Sequence, residues 1–144
     1  MDRVRDVVTL NTGKNIAVIN IVVVDDEADT HLLYKLKFKK LFADIDELHL
    51  TSFLGADECL NYLKKEEPPQ VDLILSDINM PKMDGFELLS QIRRLKKEIP
   101  VYIVSAYESL EYRSKAEALG AKRFISKPVD FRALGDMLKE DFNW

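Results

Sequence analysis

Short apolar runs alternate along this chain with longer segments of helical periodicity. Val18 to Val24 is nearly continuous and β-branched, as a strand buried on both faces should be. It ends on Asp25, Asp26 and Glu27, and a helix is predicted from about Asp29 to Phe42. Glu47 to Phe53 reads as a second strand. Ala56 to Lys65 reads as a helix that stops before Pro68 and Pro69. Val71 to Ser76 is a third apolar strand, ending at Asp77. Met80 to Gly85 is loop chemistry, with Asp84 placed to cap a helix from Phe86 to Lys97. Pro100 to Ser105 reads as a fourth strand, and Leu110 to Leu119 as a helix stopped by Gly120. Arg123 to Ser126 is a short fifth strand, and the last helix runs from about Phe131 to Asp141.

Strands alternating with helices imply a parallel sheet covered on both faces. Right-handed crossovers make it doubly wound, with function gathered at the carboxyl ends of the strands. The first helix departs from a clean pattern. Tyr34 to Lys39 alternates with period two, which locally resembles a strand, but the alternation of elements requires a helix. On that helix Leu33, Tyr34, Phe38 and Leu41 serve the core, and Leu32 and Leu36 face outward. Residues 1–15 form an N-terminal extension, either an extra strand with a turn (Val7 to Leu10, then Asn11 to Lys14) or disordered. Residues 16–144 form the main domain.

Length and composition narrow the classes. A chain of 144 residues, 47% hydrophobic and 32% charged, suits one soluble globular domain. A net charge of −4 argues against a direct nucleic-acid surface. The longest apolar stretch, Ile16 to Val24, is interrupted by Asn20 and too short to span a bilayer, and no signal peptide is visible. The reading is therefore a cytoplasmic protein with no membrane partner. The single cysteine, Cys59, sits in an apolar helical pattern and reads as a small buried hydrophobe.

The strand ends carry the chemistry. Asp25, Asp26 and Glu27 follow the first strand, Asp77 ends the third, Ser105 and Ala106 the fourth, and Lys127 and Pro128 the fifth. If these strands are neighbours, carboxylates, a hydroxyl and an ammonium meet at one edge. Two carboxylates about 4 Å apart repel by roughly 4 kcal/mol at an effective dielectric of 20, so the cluster needs a proton, a cation or a lysine. An oxygen-rich site of this kind suits Mg2+. Zinc is disfavoured, because His31 and His49 are solitary and Cys59 has no partner. Simpler readings stand beside these: Asp25 and Asp26 as helix caps, Ser105 as a loop serine, Phe124 as a plain core residue.

Taken in order, Val22 to Glu27, Leu75 to Gly85, Val104 to Ala106, and Phe124 with Lys127 and Pro128 resemble the receiver domains of two-component response regulators. The resemblance spans roughly Val18 to Phe142. It implies a flavodoxin-like (βα)5 fold with strand order 2-1-3-4-5. It implies that Asp77 accepts a phosphoryl group from a sensor histidine kinase, a histidine phosphotransfer protein or a small acyl phosphate. Mg2+ would be held by Asp25, Asp26, Asp77 and the carbonyl of Asn79. Lys127, ahead of a cis proline, would pair with Asp77 or the phosphoryl group. Ser105 and Phe124 would form the switch, and Asn79 and Tyr107 would tune dephosphorylation, a bulky Tyr107 slowing it. The domain would catalyse its own phosphorylation and dephosphorylation without being an enzyme in the ordinary sense, and would signal to an unknown effector, with a homodimer allowed. The departures are mild: Ser105 and Phe124 stand where the family also uses Thr and Tyr. An aspartate-dependent phosphatase is the enzyme alternative, but it needs an acid where Asn79 stands. A flavin carrier needs a phosphate loop, where Asp25, Asp26 and Glu27 would repel phosphate. A receiver that works by contact alone is the third alternative.

Overall fold

A computed structural model describes residues 6–9, 15–67, 70–95 and 97–144. Its elements in chain order are β1 (Asp6–Thr9), β2 (Asn15–Val24), α1 (Ala28–Leu41), β3 (Glu47–Phe53), α2 (Ala56–Leu63), β4 (Leu73–Asp77), α3 (Gly85–Arg94), β5 (Val101–Ser105), α4 (Leu110–Ala118), β6 (Arg123–Ser126) and α5 (Phe131–Phe142). The parallel strands lie in the order β3-β2-β4-β5-β6, which is 2-1-3-4-5 when the five parallel strands are counted along the chain. β1 runs antiparallel to the start of β2, pairing Asp6 with Val18 and Thr9 with Asn15. Val18 also pairs with Glu47, so β1 and β3 flank β2 from opposite sides.

Alternation along the strands divides the apolar residues between two clusters. Val22, Val24, Ile74, Val101 and Ile103 pack under α2 and α3. Ile21, Val23, Leu75, Tyr102 and Val104 pack under α1 and α5. Each large side chain so buried contributes roughly 1.5–3 kcal/mol. β4 and β5 are buried at every position, which is why they read as unbroken apolar runs. α4 is seated lightly by comparison: Ala116 is its only buried residue, and Leu110 is 82% exposed.

α1 packs through an aromatic ladder at helical spacing. Tyr34, Phe38 and Phe42 stand with ring centroids 5.7 and 5.6 Å apart, and Phe131 of α5 meets Tyr34 edge-on at 5.5 Å. Leu32 and Leu36 face solvent as the spacing predicts. Leu33 departs from expectation: it is 45% exposed, because the ladder of larger aromatic rings fills the core face. Three helices start on side-chain caps. Asp84 accepts from Glu87 N, Ser109 from Tyr112 N and Asp130 from Ala133 N. Each cap contributes about 1 kcal/mol. Gly120 takes φ +96°, the left-handed turn that ends α4.

Candidate functional site: an acid cavity at the ends of β2, β4 and β6

Parallel pairing of β2 with β4, β4 with β5 and β5 with β6 carries the predicted residues to one end of the sheet. One carboxylate oxygen from each of Asp25, Asp26 and Asp77 lies within 4.8 Å of the others. The Lys127 ammonium donates to Asp77 Oδ2 at 3.0 Å and to Asp25 Oδ2 at 3.1 Å. Ile78 N donates to Asp77 Oδ1 at 2.7 Å, which fixes the carboxylate plane. Asp25 and Asp77 are buried and Asp26 is exposed. Beside them opens a cavity of about 400 Å³, lined on the polar side by Asp26, Asp77, Asn79 and Lys127. Its apolar side includes Leu33, Tyr34 and Phe131.

The electrostatics follow from this packing. Burial pushes the Asp77 carboxyl above the usual aspartate range, against the pull of Lys127. Burial disfavours the Lys127 ammonium as well, but its bonds to Asp77 and Asp25 outweigh that, and it is held above the usual lysine range. Every donor in the cluster is an oxygen, and the cluster is open to solvent at Asp26. That set fits a hard, partly hydrated cation such as Mg2+. His31 offers no metal ligand here. Its Nε2 bonds the Asp25 carbonyl at 2.7 Å, and its Nδ1 is buried without a partner among the described residues.

The loop after β4 folds back onto the acid it follows. Gly85 N donates to the Ile78 carbonyl at 2.8 Å. A Cβ at Gly85 would lie 2.2 Å from the Asp77 carbonyl oxygen, so no side chain fits there.

The family model described as response regulator receiver domain matches residues 21–139. The chain belongs to this family. Among its relatives, the receiver domain is 36% identical over 127 residues to chemotaxis protein CheY of Treponema pallidum, covering 88% of this chain and 85% of that protein. It is 29% identical over 122 residues to the sensor protein EvgS of Escherichia coli, of which it spans only 10%. A solved CheY-like receiver domain protein from Methanospirillum hungatei superimposes with a TM-score of 0.68 at 31% identity, over 86% of this chain and 93% of that one. No helix among the described residues is long and apolar enough to cross a membrane.

In this receiver domain Asp26, Asp77, Asn79 and Lys127 line the cavity, Asp25 stands behind them bonded to Lys127, and the Lys127–Pro128 peptide is cis. Three other expected residues stand back from it. Ser105 is buried, its Oγ accepting from Tyr107 N at 3.0 Å. Phe124 is half-buried, with the Arg113 guanidinium 4.8 Å above its ring. Tyr107 is 56% exposed and outside the cavity lining, its ring against Tyr112 at 4.7 Å. Sequence reasoning assigned Tyr34 and Leu33 to the core and passed over Phe131 as part of the site. Their one signal is spacing: Leu33 and Tyr34 lie two turns after Asp26, on the flank of α1 nearest the strand ends.

Proposed function

We propose that this receiver domain, residues 16–144 behind an extension of residues 1–15, accepts a phosphoryl group on Asp77. The donor is the phosphohistidine of a sensor histidine kinase or a phosphotransfer protein, and the product state changes a protein-interaction surface. The observation that carries the reading is the buried Asp77 carboxylate, bonded to Lys127 at 3.0 Å, at the floor of an open acid cavity.

An Asp77 carboxylate oxygen attacks phosphorus while the donor's imidazole nitrogen leaves. Ile78 N and Lys127 hold that carboxylate in one orientation beforehand, which lowers the entropic part of the barrier. Asp26, Asp77 and the Asn79 carbonyl would hold Mg2+, with Asp25 joining directly or through water. The bound ion supplies charge neutralisation for the cluster and for the transferring group. As the phosphoryl group brings about two further charges, the Lys127 ammonium turns from the two carboxylates to a phosphoryl oxygen. Ser105 gives up its bond from Tyr107 N to donate to another, and Phe124 turns inward behind it. Asn79 and Tyr107 flank the path of the hydrolytic water.

Intact mass after incubation with acetyl phosphate and Mg2+ tests this. Wild type gains one phosphoryl group, and the gain is abolished by EDTA and by Asp77→Asn. Phosphoryl addition that survives Asp77→Asn would place the acceptor elsewhere and sink the reading.

A further inference from the structure

Tyr34 is an unexpected occupant of the acid cavity. It comes from the second turn of α1, where an apolar residue would satisfy the core. Its ring is buried, 3% exposed overall, and is held by Phe38 at 5.7 Å and Phe131 at 5.5 Å. Rings fixed on two sides leave the phenol little freedom. Tyr34 lines the same cavity as Asp26, Asp77 and Lys127. Its hydroxyl has no hydrogen-bond partner among the described residues, yet it is not among the sealed, unpaired buried atoms. A buried hydroxyl without a partner is costly, so one on a residue that lines an open cavity is poised to take its partner from what enters there. Burial first, then the charges of Asp25 and Asp77, push the phenol far above its ordinary range, so it meets the cavity's contents as a donor.

We propose that Tyr34 is a further catalytic residue of the phosphoacceptor site, its hydroxyl donating a hydrogen bond to an oxygen of the phosphoryl group that enters beside Asp77. This rests on the reading of Asp77 as the acceptor. Lys127, the cavity's cationic donor, is shared between Asp25 and Asp77. A donor from α1 lets the pocket grip the phosphoryl group from a further element. A bond that strengthens as the phosphoryl group reaches Asp77 lowers the barrier, and stabilises neither the resting domain nor the first complex with the donor.

Tyr34→Phe removes one oxygen and keeps the ring packing. Wild type, Tyr34→Phe and Asp77→Asn are compared with acetyl phosphate and Mg2+, following intact mass over a range of donor concentrations, together with the melting temperature. The expected result is a Tyr34→Phe protein that melts no lower than wild type and still gains one phosphoryl group. Its limiting rate falls about tenfold, with the half-saturating donor concentration unchanged. A purely structural tyrosine would move the melting temperature and not the limiting rate. Equal limiting rates for wild type and Tyr34→Phe would overturn the inference and leave Asp77 as acceptor. A wild type that takes up no phosphoryl group removes both.

Discussion

As the proposed phosphoacceptor, Asp77 would bear opposing demands: buried enough to be held and ionised enough to attack. Its carboxyl is raised above the ordinary range by burial, with Lys127 only partly restoring the charged form. The sign of the stability effect follows. Below about pH 4, the ordinary carboxyl range, Asp77 is protonated folded or unfolded and carries no penalty. As pH rises past that value the unfolded chain releases the proton first, and the folded state loses relative stability through the higher folded pKa. In EDTA, Asp77→Asn should therefore melt above wild type at pH 7, and the gap should close on acidification below about pH 4. A gap independent of pH would show that the carboxylate charge is not what the fold resists. Cys59 illustrates the contrast: burial pushes its thiol up to about 12, and with no cation beside it the group stays neutral and packs as a hydrophobe.

Elements were legible where one physical signal dominated. β4 and β5 are buried throughout, and their apolar runs place them within two residues of the observed bounds. Asp84 and Gly120 mark the start of α3 and the end of α4 through capping chemistry that is local and so readable. α1 was harder, because its apolar residues lie all round and the aromatic ladder, a tertiary fact, decides which of them is core. That is why Leu33 was placed inside and Tyr34 was not seen as part of the cavity. The acids and Lys127 were legible because strand ends are fixed by topology; the set of Ser105 and Phe124 was not, because it depends on side-chain bonds. Nor does any pattern announce the tie between β5, β6 and α5. Arg123 grips Asp141 through two bonds, of 2.7 and 2.9 Å, and the buried Tyr102 donates its hydroxyl to the same carboxylate. Burial opposes the Asp141 charge, yet bonds from Arg123 and Tyr102 outweigh it and hold the carboxyl below its usual range. Asp141→Ala leaves the Tyr102 hydroxyl unmatched and Arg123 with only Glu140, 3.4 Å away, and should cost about 2 kcal/mol, read by urea unfolding. An unchanged midpoint would reduce the cluster to a surface decoration.

At the scale of the whole molecule, the sheet divides the interior into two apolar clusters that meet only through the strands. The α1 and α5 side is closed by interlocked aromatic rings; on the other side α2 and α3 bury four or five residues apiece. The acid cavity lies on the α1 side, against packed aromatic rings, and α4 is the helix the core holds least. Since α4 buries Ala116 alone, it should open by itself, without the rest of the domain following. Amide hydrogen exchange should then be faster across α4 than across α3 under native conditions, and equal protection of the two helices would contradict this. In a molecule built this way, the freedom to change shape is unevenly allotted. It lies in the one helix that the core scarcely holds.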